Sequence, residues 1–348
     1  LFRSVSCRTI IYLSSSFSQR RTKNQPMSDA SLLSAAAQYL TSHKLLASMG
    51  VLCDKQILDS YTANALRPMA DSLEKRLKAQ TKMEAEFLEA FASSGRKGIC
   101  LKGAALVRWL YPSSTSRYRG DLDILVHPGD APWARQWLTD HGFEDPHWTV
   151  WGTQVALRNQ KTGLVVDLHW RLSDHPIFHY GWNFEELWSA SLPLEPFAPN
   201  VRRLDAIMAL QHAVVHRQAS LAGSGAKDLD LLDVKLLIDV LLPADRSAFV
   251  LACRRKGISG LAAAVLEDAR FQFGSADEVL IGRLREQGRS EWLSNLVCGR
   301  RNAPRIWMMA LRAQPDWRER FSLARRALFP NPEFIRAGDR VGLFGLVA

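Results

Sequence analysis

Between Ala30 and Gly95 the apolar positions recur at three- and four-residue spacing, the period of a helix buried along one face. Leu32, Leu33, Ala36 and Leu40 mark a first helix. Leu66, Met69, Leu73, Leu77, Met83, Phe87 and Phe91 mark a second, from Ala63 to Ala92, closed by Ser93-Ser94-Gly95. From residue 98 the pattern shortens. Gly98–Lys102 reads as a strand, Gly103 as a turn and Ala104–Tyr111 as a short helix. After the polar loop Pro112–Ser116, Arg119–Val126 alternates as a strand. Pro132–His141 reads as a helix ended by Gly142. Strands are expected at Thr149–Arg158 and Gly163–Leu172, turning through Lys161-Thr162-Gly163. Beyond Pro199 the helical period returns over Val201–Arg217 and over Ala226–Leu242, which stops before Pro243. Further helices reach Phe329, where Pro330-Asn331-Pro332 breaks the pattern.

These elements predict an α+β fold: a small mixed-sheet core over residues 96–200, flanked by helical regions at 28–95 and 201–348. The 348 residues suffice for two domains or one enlarged domain. Apolar runs fall far short of the roughly 20 residues that a membrane span needs, so a soluble chain is expected. The five cysteines are scattered, without a Cys-x-x-Cys pair. That argues against a disulfide framework or a cysteine zinc site, and a reducing, cytoplasmic setting is the simplest.

Charge is uneven. The formal net charge is +10, and residues 1–27 hold five basic residues and no acid. This Ser- and Arg-rich stretch suits a transit peptide or sequence upstream of a start at Met27; the second is the expectation, and the stretch is set apart from the fold. Residues 281–348 hold 13 Arg against 6 acids. Such helices suit solvated faces or a polyanionic partner.

The candidate chemistry lies in Gly120-Asp121-Leu122-Asp123-Ile124-Leu125-Val126. Alternate side chains of a strand share a face, so Asp121 and Asp123 would point the same way, about 6–7 Å apart. Two such carboxylates repel each other without a cation, and Mg²⁺ prefers oxygen ligands of this kind. Asp167 interrupts the apolar strand Val165–Trp170 and would complete the set from a neighbouring strand. Three carboxylates hold two divalent ions, with Asp167 also the expected base for an attacking hydroxyl. Gly103, between strand and helix, would let a phosphate approach the backbone at Gly103-Ala104, with Lys102 and Arg117 adding positive charge. His212 and His216, four apart on a helix, also suit zinc, although Ala213 replaces the glutamate of the usual His-Glu-x-x-His motif. Core histidines are the expectation there. His169-Trp170 reads as core or rim rather than as a stacking platform.

Leu101-Lys102-Gly103, Leu110-Tyr111-Pro112, Arg117, Asp121–Val126 and Asp167-Leu168-His169-Trp170 together resemble the DNA-polymerase-β-type nucleotidyltransferase superfamily, within it the nucleotidyltransferase-family proteins of bacteria. The resemblance is good over residues 96–172. It implies a mixed sheet, Mg²⁺ (or Mn²⁺), and transfer of a nucleoside monophosphate from an NTP such as ATP to a hydroxyl, releasing pyrophosphate. By it Asp121, Asp123 and Asp167 are the metal ligands and catalytic residues, and Lys102, Gly103, Ala104 and Arg117 bind the nucleotide. The acceptor is open between a small molecule, a protein side chain and an RNA end. The chain departs from the superfamily at Ala104, where Ser or Gly is usual, and in a longer gap from Gly103 to Asp121. That departure motivates the alternative reading, a non-catalytic nucleotide-binding module with the same fold.

Overall fold

The computed structural model describes residues 29–144, 153–222, 227–274, 277–293 and 303–328. The N-terminal region folds as α1 (Asp29–Ser42), α2 (Met49–Asp54) and the long α3 (Ser60–Ser93). Asp59 caps α3 by accepting from the Thr62 N–H at 2.9 Å. Strand β1 (Gly98–Cys100) leads into the single turn α4 (Lys102–Leu106), then a loop, then β2 (Leu122–Val126). Next come α5 (Ala131–Asp140), β3 (Phe143–Glu144), β4 (Gln154–Asn159) and β5 (Val165–His169). Helix α6 (Phe184–Ala190) precedes β6 (Ser191–Pro193) and β7 (Val201–Leu204). The remainder is helical: α7 (Ala206–Ala222), α8 (Asp228–Val240), α9 (Pro243–Lys256), α10 (Ser259–Phe273), α11 (Glu278–Gly288), α12 (Ala303–Arg312) and α13 (Trp317–Leu328). No helix among the described residues is long and apolar enough to cross a membrane.

The seven strands form one mixed sheet in the order β3-β4-β5-β2-β1-β7-β6. β2 runs parallel to β5 and antiparallel to β1, and β1 runs parallel to β7. The α+β expectation therefore holds, with helices before and after the sheet. Three local readings differ. Val201–Leu204, taken as the start of a helix, is a sheet strand that pairs parallel with β1 and antiparallel with β6, with Val201 in one core and Leu204 in the other. Helix α4 ends at Leu106 rather than at Tyr111, and β2 begins after Asp121. The first part of the Thr149–Arg158 strand lies outside the described residues. β3, β6 and α6 carry too few residues to show a period.

β2 is buried at all five positions and divides two cores. Leu122, Ile124 and Val126 pack with Phe87, Phe91 and Leu138 of α3 and α5. Leu125 joins the other core, with Val214 of α7 and Leu232 of α8. Each such apolar side chain contributes roughly 1.5–3 kcal/mol on burial. Asp123 shares the Leu125 face, so its carboxylate lies on the side covered by the C-terminal helices.

The loop between α4 and β2 is fixed by buried charge. Glu84, fully buried on α3, accepts from the Arg119 Nε at 2.6 Å and faces the Arg108 guanidinium at 3.4 Å. Arg119 also donates to the Ser114 carbonyl and the Thr81 hydroxyl, each at 2.6 Å. From the other side, Arg117 makes a two-pronged pair with Asp233 of α8, Nε at 2.8 Å and Nη2 at 2.6 Å. The Tyr111 hydroxyl donates to the same carboxylate at 2.6 Å. α8 is thus a buried hub. Its Asp228 bonds Tyr39 and Gln272, and its Asp239 pairs with Lys235 and Lys55. Asp228 and Asp233 of this helix are both turned inward.

Candidate metal centre

The parallel register of β2 and β5 sets Asp123 directly opposite Asp167 and Leu125 opposite His169. Paired residues of neighbouring parallel strands project to one face, and residues two apart on a strand share that face. Asp123, Asp167 and His169 therefore converge. One ligand atom from each lies within 4.8 Å of the others. His169 Nε2 is 3.1 Å from Asp123 Oδ1 and 3.2 Å from Asp167 Oδ2. The Lys102 ammonium donates to Asp123 Oδ1 at 2.7 Å.

Electrostatics binds this group together. Burial alone would raise the Asp123 carboxyl, but Lys102 and the hydrogen-bonded His169 outweigh it and hold the group well below the carboxylate range. Burial lowers His169, yet the Asp167 charge and the bonds to both acids prevail and lift the imidazole to about 9. Lys102 is likewise kept charged, burial being outweighed by Asp123, Asp167 and Asp121. Asp121 stands one residue before β2, outside the three converging groups. Desolvation and the Asp123 charge push its carboxyl up to about 6, so it lies within the field of the site.

Among the described residues, Asp167 Oδ1 and His169 Nδ1 of this cluster are buried without a hydrogen bond. Buried polar atoms are nearly always paired, so an open carboxylate oxygen in an acidic cluster fits a site completed by a cation. Two carboxylates and an imidazole make a donor set suited to a hard or borderline divalent ion. His169 was not singled out as a ligand from the sequence. The signal was present: it follows Asp167 by two on a strand, the spacing used to pair Asp121 with Asp123.

The nucleotide-binding candidates are placed as follows. Lys102 adopts a left-handed backbone conformation, φ 45°, at the start of α4, and its side chain turns to Asp123. Such a conformation is costly for a side-chain-bearing residue and concentrates at functional sites. Gly103 is required by a close approach, but that of a side chain: a Cβ there would lie 2.3 Å from Arg117 Nη1. Gly103→Ala is therefore expected to displace the Arg117–Asp233 pair and lower stability by about 1–3 kcal/mol, read as a shifted denaturant midpoint. Ala104 is buried and its carbonyl accepts from Arg108. Arg117 is occupied by Asp233. His212 and His216 lie on α7 with ring centroids 6.2 Å apart and join no three-residue metal group among the described residues.

Residues 27–274 match the family described as uncharacterised nucleotidyltransferase, and the chain belongs to that family. No curated protein matches it.

Proposed function

We propose that the protein is a divalent-metal-dependent nucleotidyltransferase that moves a nucleoside monophosphate from an NTP, ATP among the candidates, to a hydroxyl acceptor. The observation that carries this reading is the convergence of Asp123, Asp167 and His169 in a chain of this family. These three would hold Mg²⁺ or Mn²⁺, and the nitrogen donor favours Mn²⁺ somewhat more than an all-oxygen set would. The ion, when bound, would neutralise phosphate charge and polarise the phosphorus–oxygen bonds. Asp121, at the rim, supplies a further carboxylate. The Asp167 carboxylate accepts the proton of the acceptor hydroxyl. The acceptor oxygen forms a bond to the α-phosphorus, the bond to the bridging α–β oxygen breaks, and pyrophosphate leaves with that electron pair. Lys102 then faces the phosphates, exchanging Asp123 for them.

The Lys102–Asp123 contact also favours a second reading, a non-catalytic nucleotide-binding module in which the lysine permanently satisfies the acid. One experiment separates them. The protein is incubated with each α-labelled NTP, Mn²⁺ or Mg²⁺ and cell extract, beside an Asp121→Asn/Asp123→Asn variant. Transfer of label by the parent alone is expected. Equal labelling by both would dismiss the enzymatic reading.

A further inference from the structure

A cavity adjoins the metal centre between the β1–α4 turn and helices α7 and α8, with about 530 Å³ of empty space, part of it open to solvent. Leu101, Trp109 and Leu204 contribute its apolar wall, and Lys102 connects it to Asp123. His212 and His216, one turn apart on α7, line its other side. His212 is only 4% exposed, and neither ring makes a hydrogen bond among the described residues. His216 is half-buried and both rings border the cavity, so their nitrogens are available to a ligand there.

The wall's charge limits what that ligand is. Burial holds both imidazoles below their usual range, with the Lys102 ammonium adding to it. Both rings are then neutral at pH 7, each with one N–H donor and one free lone pair. The two cations of the wall, Lys102 and Arg117, are paired with Asp123 and Asp233. There is no array of free cations for a triphosphate inside the cavity. The remaining acid of the wall, Asp230, lies 3.9 Å from Arg217, so the charges are paired and the apolar residues with the two neutral imidazoles suit an uncharged ring with polar edges.

We propose that this cavity holds the nucleoside of the donor nucleotide, with His212 and His216 hydrogen-bonding its base or ribose and setting nucleotide preference. This rests on the nucleotidyl-transfer reading. The sheet order favours donor over acceptor. The cavity borders β1 and β7, whereas Asp167, the proposed proton acceptor, lies on β5 across β2. The phosphates run from the cavity past Lys102 to Asp123, and the acceptor hydroxyl enters from the β5 side.

The test is calorimetric binding, with Mn²⁺ present, of the non-hydrolysable α,β-methylene analogues of the four NTPs and of inorganic tripolyphosphate. The parent, His212→Phe and His216→Phe are compared; phenylalanine keeps the ring volume and removes its nitrogens. At least one analogue is expected to bind the parent about tenfold or more tighter than tripolyphosphate, and each substitution to remove most of that advantage. Tripolyphosphate affinity, which also reports a folded centre, should stay within about twofold. Unchanged analogue affinity in both variants, or no advantage of any analogue in the parent, overturns the nucleoside cavity and leaves nucleotidyl transfer standing. Parallel loss of tripolyphosphate in both variants overturns it too, since the imidazoles would then serve the phosphates or the fold. Failure of the parent to bind any analogue or tripolyphosphate overturns the proposed function together with the cavity.

Discussion

Asp123→Asn is expected to lower label transfer from the NTP by on the order of 10³-fold or more while leaving the protein folded. Asp123 is the shared partner in the site: Lys102 at 2.7 Å and His169 at 3.1 Å contact the same Oδ1. The amide keeps the shape and one acceptor oxygen but removes the charge that would bind a cation. Without that charge, Lys102 loses its main reason to stay protonated, whereas His169 keeps Asp167 as its chief counter-charge. Lys102, which is about a fifth exposed, can shed its proton or reach for water. The fold should therefore tolerate the change better than the chemistry does. Parallel circular dichroism and a denaturant titration check this, with the midpoint expected to move far less than activity. Asp121→Asn, outside the converging trio, is expected to reduce transfer less than Asp123→Asn does. A loss as large at Asp121 would relocate the ion toward the start of β2.

Glu84→Ala is the substitution expected to cost most stability, about 3–5 kcal/mol. Glu84 is fully buried, and its side chain serves Arg119, Arg108 and Gln80. Its removal leaves the Arg119 guanidinium, 1% exposed, without a counter-charge in the core. Domains of ordinary stability have only about 5–15 kcal/mol in total, so a loss of this size threatens folding at 37 °C. The loop from Pro112 to Gly120 should loosen as well, because Arg119 ties the Ser114 carbonyl into place. Removing both charges together, as Glu84→Leu with Arg119→Met, should recover much of the loss. The exposed pair Lys78–Glu74 provides the control, with an expected effect below about 1 kcal/mol. Urea midpoints for the four proteins check the ranking.

The long helix α3, the Asp-bearing strand and the helical regions on both sides of the sheet were legible in the sequence, since each carries its period over enough residues. Pairing Asp167 with Asp123 rested on an acid interrupting an apolar run, and the register sets the two directly opposite. What escaped was long-range. Arg117 and Asp233 are 116 residues apart, and nothing local in either segment announces the other. Arg117 read as a phosphate ligand for that reason, although its partner is a helix of the C-terminal region. Gly103 read as a phosphate turn, when the atom crowding it is the Arg117 guanidinium. β7 was hidden because Val201-Arg202-Arg203-Leu204 spaces its apolar residues three apart, a helical interval, and a strand covered on both faces shows no alternation. The cavity beside Lys102 is bounded by segments from β1 to α8, so no single stretch of sequence encodes it.

All of this depends on Asp123, Asp167 and His169 acting as one cation site. Calorimetric titration of Mn²⁺ into chelator-treated protein, without nucleotide, addresses that directly. A saturable site is expected in the parent, weakened at least about tenfold by His169→Ala and by Asp167→Asn, with circular dichroism unchanged. Mn²⁺ binding that is indifferent to both substitutions would contradict the account.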